Sequence, residues 1–251
     1  MLNIILNGSN GRMGQVLTRL IGERSDMKVV AGVSRSGEKL SDFPVYKTPD
    51  EIKEKADVVI DFSNFSAVPA IVGWCAANKT PIVIATTALD SDCEEKIAEA
   101  SKVIPVFKSA NMSLGINALA KALKAMTPAL EADFNVEIIE KHHKKKLDSP
   151  SGTAIMLADT VSEASSRPKN YIYGRHSKHD EFSMDNIGIH AVRGGSIPGI
   201  HTVLYCGPDE TIELTHTAFS RDIFGNGAVK AAEFIAADGL KPGMYSMDDI
   251  I

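Results

Sequence analysis

The first half of the chain alternates short apolar runs with segments of helical period, and this alternation constrains the fold more than any other feature. The apolar runs predict buried strands at Leu2–Leu6, Lys28–Val33, Asp57–Phe62, Pro81–Ala85 and Val103–Phe107. The segments between them predict helices near Arg12–Glu23, Ala67–Asn78 and Ser91–Ser101. Because strands and helices at this spacing form right-handed crossovers, the sequence predicts a parallel sheet covered by helices on both faces.

After about Asn111 the pattern changes. A helix at Leu114–Leu130 leads into an apolar strand, Asn135–Glu140, then a basic loop and a second helix that begins near Ser151. A last helix, Gly227–Ala237, is apolar on one face, so we expect it to pack back on the first half. The sequence therefore predicts two domains, with the second inserted before a C-terminal return to the first.

Three strand-like runs precede the last helix, at Ile187–Arg193, Ile200–Cys206 and Glu210–Thr217. Turn-rich pairs join these runs, Gly194-Gly195 and Gly207-Pro208. Such short, turn-rich connections favour antiparallel pairing. The second domain should therefore contain a sheet of a different kind from the parallel sheet of the first.

The composition is that of an ordinary globular protein and excludes several classes of function. The 251 residues carry a formal net charge of −5, which gives no general affinity for nucleic acid or anionic membranes. No stretch approaches the ~20 apolar residues that span a bilayer, and no secretion signal is expected before the first strand. Cys75, Cys93 and Cys206 form neither a CxxC pair nor a disulfide framework, so we expect a reducing, cytoplasmic location.

A glycine-rich turn, NGSNGRMG at residues 7–14, follows the first predicted strand and opens the first helix. Its glycines allow a tight turn and close backbone approach, and the helix N-terminus offers N–H groups and a positive dipole to phosphates. The spacing is GxxGxxG rather than GxGxxG, and a tight turn without a ligand is the alternative. The position of the turn favours binding of a dinucleotide.

The end of the second strand distinguishes between the two nicotinamide cofactors. An acidic residue there binds the ribose of NAD, whereas an arginine accommodates the 2′-phosphate of NADP. The strand ends in Ser34-Arg35, with no carboxylate. A guanidinium can hold a phosphate bidentately, although an ordinary surface arginine is the alternative. We therefore expect NADPH in preference to NADH.

The stretch EIIEKHHKKK, residues 137–146, places six consecutive positively chargeable side chains after an apolar strand. A charge run that stands alone is as often a solvent-exposed face as a binding site. The adjacent histidines also suggest a metal site, but no Cys or carboxylate completes a ligand set and the nearby lysines would repel a divalent cation. We therefore expect no metal.

The residues that follow, DSPSGTA at 148–154, put a serine N-cap and small residues at the start of a helix. This helix start is a second anion site beside the basic run. Backbone N–H groups and the Thr153 hydroxyl would hold one carboxylate of a small dianion, and the cationic side chains the rest. A histidine with a pKa near ~6.5, or the Lys146 ammonium, can supply a proton at neutral pH.

The stretch EIIEKHHKKKLDSPSGTA, residues 137–154, resembles the signature of the dihydrodipicolinate reductases, enzymes of the diaminopimelate and lysine pathway. Further segments resemble the same family in the same order along almost the whole chain. They are NGSNGRMG at residue 7, DFS at 61, ATT at 85, SANMSLGIN at 109, HAVRGGSIPGIHTV at 190, IELTHTAFSR at 212 and GNGAVKAAEFI at 225.

The resemblance implies an α/β chain with a Rossmann-like dinucleotide-binding domain, residues 1–111 and 220–251. Residues 112–219 would form an α+β substrate-binding and oligomerisation domain with a mixed, largely antiparallel sheet. The implied reaction is the NAD(P)H-dependent reduction of 4-hydroxy-tetrahydrodipicolinate, with loss of water, to tetrahydrodipicolinate. A homotetramer assembled through the sheet of the second domain is also implied.

The resemblance also implies residue roles. His142 is the expected catalytic acid–base residue and Lys146 the partner proton donor. The expected substrate contacts are His143, Gly152 and Thr153. The expected cofactor contacts are Gly8, Ser9, Asn10, Gly11, Arg12 and Met13 at the pyrophosphate, Ser34 and Arg35 at the adenosine ribose, and Ala85, Thr86, Thr87, Ser109, Ala110, Asn111 and Met112 at the nicotinamide half.

Four positions depart from the family pattern. Ala85 and Ala88 replace glycines of a GTTG-type turn, residue 34 lacks the acidic side chain of dual-cofactor members, and Met112 replaces a frequent aromatic. Alanine tolerates positive φ poorly, so the cofactor contact near Ala85 should differ from the family pattern. Two alternative functions are a dehydrogenase of aspartate-derived substrates and a catalytically silent nucleotide sensor. The His-His-Lys loop argues against the first, and the intact proton donors argue against the second.

Overall fold

The computed structural model describes residues 1–179 and 182–251, which divide into two compact units. One unit comprises Met1–Leu114 with Arg221–Ile251, and the other comprises Gly115–Ser220. The strands in chain order are β1 Leu2–Asn7, β2 Met27–Val33, β3 Val45–Tyr46, β4 Val58–Asp61, β5 Ile82–Ile84, β6 Pro105–Lys108, β7 Asn135–His142, β8 Asn170–Tyr173, β9 Asn186–Arg193, β10 Ile200–Cys206, β11 Thr211–Thr217 and β12 Gly243–Tyr245. The α-helices are α1 Arg12–Gly22, α2 Val68–Asn78, α3 Ser91–Ser101, α4 Leu114–Leu130, α5 Gly152–Ala164 and α6 Asp222–Ile235.

The first unit is built on a seven-stranded sheet in the order β12-β6-β5-β4-β1-β2-β3. Every neighbouring pair is parallel. Because side chains alternate along a strand, the two faces of β1 build two separate cores. Ile4 clusters with Leu17 of α1 and Ala231 of α6, whereas Ile5 clusters with Ile71 of α2. The prediction of a parallel sheet covered on both faces is confirmed.

Two short edge strands of this sheet, β3 and β12, were not predicted. They contain two and three residues, too few to show a period of two against their surroundings. The last helix packs on the first unit as predicted, but it begins at Asp222 rather than Gly227. It packs against α1.

The second unit contains a five-stranded sheet in the order β11-β10-β7-β9-β8. β10 is antiparallel to both β11 and β7, whereas β9 is parallel to both β7 and β8. The sheet is mixed, as predicted, and its pairings divide equally between the two kinds rather than being largely antiparallel. One face packs on α5, where Ile138 and Val203 meet Leu157 in a single core.

The expected antiparallel pairing of the runs at Ile187–Arg193 and Ile200–Cys206 is wrong. These runs are β9 and β10, and β7 lies between them and bonds to both. The turn at Gly194-Gly195 is therefore a connection across β7, anchored by the N–H of Gly194 on the carbonyl of His142 at 2.9 Å. The other expected pairing, between β10 and β11, is confirmed. β8 was not predicted.

Within the described part of the chain, none of the helices combines the length and the apolar character that crossing a bilayer requires.

Candidate active site

At two positions of the glycine turn between β1 and α1 there is no room for a side chain. Gly8 has φ 85°, and a Cβ there would lie 2.4 Å from the carbonyl oxygen of Phe62. A Cβ on Gly14 would lie 2.3 Å from the carbonyl oxygen of Gly8. The turn therefore packs directly on the segment that follows β4 and on the first turn of α1. This is the compact arrangement that brings backbone N–H groups close to a phosphate.

A cavity of about 900 Å³ opens over this turn. Its lining residues come from the turn, the end of β2, the segment after β3 and the segment after β4. Of the expected cofactor contacts, the cavity is lined by Gly8, Asn10, Gly11, Ser34 and Arg35. The mixture of backbone amides, hydroxyls and a guanidinium suits a phosphorylated nucleoside.

Other expected pyrophosphate contacts lie beside the cavity rather than on its wall. Ser9 is buried, and its hydroxyl lies 3.4 Å from the carbonyl of Val33. Arg12 is exposed and Met13 half-buried in the first turn of α1. The cavity is also lined by polar residues that were not among the expected cofactor contacts, including Ser36, Lys47, Asp50, Ser63 and Asn64.

The expected nicotinamide-side residues after β5 belong to a buried polar network. The Ser63 N–H donates to the Thr86 hydroxyl at 2.9 Å, and the Asn7 amide donates to Asp61 Oδ1 at 2.7 Å. Burial raises the pKa of Asp61, while hydrogen bonds from Ser63, Thr86 and Asn7 oppose that shift. The Thr86 side chain is therefore held by the segment that follows β4, whereas Thr87 is exposed.

Backbone strain in the ATT turn falls at Ala88 rather than at Ala85. Ala88 adopts φ 57°, in the left-handed region, whereas Ala85 is buried and has no positive φ. Of the two alanines that replace family glycines, only Ala88 therefore stands where glycine would be preferred.

The segment after β6 is held by its own side chains and by α6. The Ser109 hydroxyl donates to the carbonyl of Asn111 at 2.8 Å, and Asn111 Oδ1 accepts from the N–H of Ser113 at 2.9 Å. Met112 is buried, while Ala110 is exposed. A Cβ on Gly227 would lie 1.6 Å from the Met112 carbonyl oxygen, so α6 touches this segment backbone to backbone.

In the second unit, the end of β7 presents two buried polar side chains on the same face. Glu140 is 0% exposed and His142 is 8% exposed. His142 Nδ1 lies 2.6 Å from Glu140 Oε2. Because an ionised carboxylate only accepts, Nδ1 carries the proton and Nε2 is left as the acceptor.

Glu140 accepts three further hydrogen bonds. Its Oε1 accepts from the N–H of Ser151 at 2.9 Å, and Arg193 reaches both oxygens, Nη1 to Oε2 and Nη2 to Oε1, each at 2.7 Å. Burial alone would raise the pKa of Glu140, but the hydrogen bonds from Arg193, His142 and Ser151 outweigh it and leave that pKa below its ordinary value. The carboxylate is therefore ionised at neutral pH.

His142 is held neutral by its surroundings. Burial lowers the pKa of His142; the Glu140 carboxylate opposes this shift, and the positive charges of Lys146 and Arg193 add to it. A second imidazole, that of His201, stands edge-on at a centroid distance of 5.0 Å. Burial lowers the pKa of His201 to about 4, so it too is neutral.

The loop after β7 carries the remaining candidates. Lys146 Nζ lies 2.9 Å from Asp148 Oδ2, and the Lys146 side chain is 22% exposed. Its backbone N–H donates to the carbonyl of His143 at 3.1 Å. His143 Nδ1 is buried and has no hydrogen-bond partner among the described residues. The loop thus offers an ammonium group to a ligand, with the imidazole of His143 beside it.

Helix α5 begins immediately after the loop. Ser151 is its N-cap as predicted, and the Ser151 hydroxyl accepts from the N–H of Ala154 at 3.2 Å and lies 2.9 Å from His201 Nε2. Gly152 is exposed, and a Cβ there would meet nothing within 4 Å. As a helix N-terminus, the start of α5 favours an anion, and its Gly152 N–H faces the Asp148 carboxylate.

Glu140, Arg193 and His201 were not identified from the sequence. The signal for Glu140 was a carboxylate inside an apolar strand, two residues before His142 and hence on its face. Arg193 and His201 reach the site through β9 and β10, the strands that flank β7. Finding them required the sheet order, which the sequence did not give.

Two family models together match nearly the whole chain. "Dihydrodipicolinate reductase, N-terminus" matches residues 2–112, and "Dihydrodipicolinate reductase, C-terminus" matches residues 115–251. A protein named 4-hydroxy-tetrahydrodipicolinate reductase from Caldanaerobacter subterraneus subsp. tengcongensis is 49% identical over 251 residues, covering 100% of this chain and 98% of the relative. The protein of the same name from Clostridium tetani is 46% identical over 248 residues, covering 99% and 96%.

Solved structures share the fold. Dipicolinate-bound dihydrodipicolinate reductase from Paenisporosarcina sp. TG-14 superposes with a TM-score of 0.84 at 24% identity, covering 100% of both chains. Aspartate dehydrogenase from Thermotoga maritima superposes with a TM-score of 0.53 at 13% identity, covering 96% of this chain and 99% of that chain. The first similarity extends over both units and the loop at residues 137–154.

Proposed function

The chain belongs to the dihydrodipicolinate reductase family, and we propose that it reduces 4-hydroxy-tetrahydrodipicolinate to tetrahydrodipicolinate. Members of this family are NAD(P)H-dependent oxidoreductases. The observation that carries the proposal is the loop after β7. There a histidine held neutral by burial, a lysine ammonium and an open helix start follow one another within twelve residues, from His142 to Thr153.

The substrate class follows from the charge of this loop. A dicarboxylate needs two groups of donors, and the start of α5 supplies one of them through the N–H groups of Gly152 and Thr153. Lys146 and the imidazole of His143 supply the other. A relative with the same fold was solved with dipicolinate bound, and dipicolinate is the aromatic analogue of this substrate.

The proton transfers can be divided between two side chains. The Lys146 ammonium donates a proton to the departing ring hydroxyl, which leaves as water. The neutral His142 accepts at Nε2 the proton of the ring carbon beside the imine, and Glu140 stabilises the imidazolium that results. His142 then returns this proton to the same carbon after reduction. The bound cofactor supplies the hydride, and the loop cations stabilise the charge that develops on the conjugated ring.

We infer that NADPH is preferred over NADH. Ser34 and Arg35 line the cavity over the glycine turn, and none of the described residues forms an ion pair with the Arg35 guanidinium. An arginine in this place can accept the 2′-phosphate that distinguishes NADPH. The first carboxylates along the chain after it, Glu38 and Asp42, are exposed and lie outside the cavity wall, whereas the exposed Asp50 lies on that wall beside Lys47 and Thr48.

We propose a homotetramer assembled through the sheet of the second unit. On β7 and β10 most of the residues that do not face α5 are half-buried, and the apolar ones among them include Ile139, Ile200 and Leu204. A second copy of the sheet would cover this apolar strip. A solution mass of about four chains of 27.0 kDa would support the assembly, and a monomer mass would overturn it. We also propose a cytoplasmic location, which suits the free thiols Cys75, Cys93 and Cys206.

The reaction is tested by following NADPH oxidation by absorbance. The substrate is formed in the cuvette from pyruvate and aspartate semialdehyde by the synthase that precedes this step, and NADH is run alongside. Oxidation that requires the synthase is the expected result. Binding of NADPH without any synthase-dependent oxidation would overturn the proposed reaction and favour a nucleotide sensor.

A further inference from the structure

We infer that Glu140 is a positioning residue that fixes the tautomer of His142 and ties this imidazole to the start of α5. The expected effect on turnover rests on the proposed function, whereas the expected tautomer rests on geometry alone. Glu140 is 0% exposed, yet it is a carboxylate near the end of β7, on the strand face that also carries the buried Val136 and Ile138. A buried carboxylate is costly unless donors surround it, so its partners show what it holds.

Four donors converge on the two oxygens of Glu140. Oε2 accepts from His142 Nδ1 at 2.6 Å and from Arg193 Nη1 at 2.7 Å. Oε1 accepts from Arg193 Nη2 at 2.7 Å and from the Ser151 N–H at 2.9 Å. Each oxygen thus has two donors, and none of the donors can become an acceptor except the imidazole. His142 therefore has one tautomer in this setting, with the proton on Nδ1.

The same carboxylate fixes the start of α5. Ser151 donates its N–H to Glu140 and uses its hydroxyl to cap the N–H of Ala154. Arg193 also donates from Nη2 to the carbonyl of Asp148 at 2.6 Å, in the loop between β7 and α5. Glu140 and Arg193 therefore hold both ends of this loop. They set the position of His142 Nε2 relative to the N–H groups of Gly152 and Thr153.

The charges facing His142 come from each element packed around it. Glu140 lies on the same strand, Arg193 on β9, the neutral His201 on β10 and Lys146 in the loop. Only Glu140 is negative among these, and it is the one that contacts the ring. Removing its charge should therefore change which nitrogen of His142 is protonated without removing the ring from the site.

The chain contains a matched control on the same strand. Glu137 accepts from His190 Nε2 at 2.7 Å and from Arg175 Nε at 3.1 Å. It therefore has the same kinds of partner as Glu140, a histidine and an arginine. It lies three residues away, so it points to the opposite face of the sheet. A Glu137→Gln variant removes an equal charge from β7 without touching the loop.

The test compares Glu140→Gln with Glu137→Gln. A glutamine has one amide oxygen and one NH2 group, and the oxygen satisfies most donors when it accepts from the Ser151 N–H and Arg193 Nη2. The NH2 group then faces His142 Nδ1, so the imidazole proton should move to Nε2. Solid-state ¹⁵N NMR of protein labelled only at histidine reports this tautomer, and His142→Gln assigns the signal. Because acid–base catalysis contributes ~10²–10⁴-fold, kcat of Glu140→Gln should fall on the order of 10²-fold. KM and the Kd for NADPH should stay within about threefold.

Several outcomes decide the inference. Wild-type protein should show His142 with the proton on Nδ1 at neutral pH, and a proton on Nε2 would overturn the inference even if Glu140→Gln failed to fold. Glu140→Asp keeps the charge and should keep the tautomer and recover part of kcat. An equal loss of kcat in Glu137→Gln would point to a general defect of the strand. Wild-type protein with the expected tautomer but no turnover would overturn the proposed reaction and leave the positioning role standing.

Discussion

At the scale of single residues, the role proposed for His142 depends on the neighbours that bury its imidazole and bond to it. His142 is 8% exposed, and burial lowers its pKa while Glu140 opposes the shift. Its Nε2 can accept a proton only when the ring is neutral. The lowered pKa therefore widens, toward acidic pH, the range over which His142 is neutral and can serve as the proposed base.

The first prediction concerns the pH dependence of turnover. Protonation of His142 blocks Nε2, so kcat should fall on the acidic side with an apparent pKa below the ordinary histidine value of ~6.5. A depressed pKa gives this sign because the neutral form persists to lower pH. The measurement is kcat under saturating substrate from about pH 5 to pH 8. An acidic limb centred above the ordinary histidine value would contradict the role of burial.

Arg35 gives a second prediction at this scale. Arg35→Ala removes the guanidinium proposed to hold the 2′-phosphate, so the Kd for NADPH should rise about tenfold or more while that for NADH changes less than about twofold. Titration of the variant with each cofactor by fluorescence measures both constants. Lys39→Ala is the matched control, because it removes a nearby exposed charge outside the cavity wall. Equal weakening of both cofactors by Arg35→Ala would remove Arg35 from the 2′-phosphate site.

A third prediction concerns the strained alanine in the turn after β5. Ala88 has φ 57°, so Ala88→Gly should raise the free energy of unfolding by about 0.5–1 kcal/mol. Ala85→Gly is the control, since Ala85 is buried and has no positive φ. This variant should lower the free energy of unfolding by about 0.5–1 kcal/mol. Thermal or urea unfolding of both variants measures the difference. Stabilisation by Ala85→Gly and not by Ala88→Gly would contradict the assignment of the backbone strain to Ala88.

At the scale of elements, the main strands and helices of the first unit could be predicted from the sequence. Their strands are short apolar runs, their helices have helical periodicity, and glycine or polar residues separate the two. The order of the second sheet could not be predicted. The turn at Gly194-Gly195 has the composition of a hairpin, yet β7 lies between the two strands that it joins. β7 precedes β9 in the chain by the whole of α5 and β8, and no local pattern carries that pairing.

The same limit explains which site residues were predicted. His142, Lys146, Gly152 and Thr153 are close in sequence, so a local motif was enough to propose them. Arg193 lies 53 residues from Glu140, and its role depends on the parallel register that places His142 beside it. The burial of Glu140 follows from its parity on β7, which could have been read from the strand pattern alone.

Two glycines in helices give a fourth prediction. Gly227 of α6 stands where a Cβ would overlap the carbonyl of Met112, whereas Gly73 of α2 has open space. Gly227→Ala should therefore destabilise the protein by at least about 2 kcal/mol and weaken NADPH binding through the Ser109–Met112 segment. Gly73→Ala should stabilise by about 0.5–1 kcal/mol. Denaturant unfolding and NADPH titration of both variants provide the comparison. A neutral Gly227→Ala would contradict the close packing of α6 on this segment.

At the scale of the whole molecule, the proposed tasks are divided between the two units. The cavity, the glycine turn and Arg35 belong to the unit that contains Met1–Leu114, whereas Glu140, His142 and Lys146 belong to Gly115–Ser220. Substitutions in one unit should therefore change cofactor affinity, and substitutions in the other should change proton transfer. This separation lets one variant test the catalytic role of the loop without disturbing the cofactor.

The most direct measurement is the turnover of His142→Gln in the synthase-coupled assay, together with its Kd for NADPH. Glutamine keeps a polar side chain of similar reach but cannot cycle a proton at neutral pH. The account predicts a fall in kcat on the order of 10²-fold or more with the Kd for NADPH changed by less than about twofold. Turnover close to that of the wild type would contradict the account, because the proton would then pass through a group other than His142.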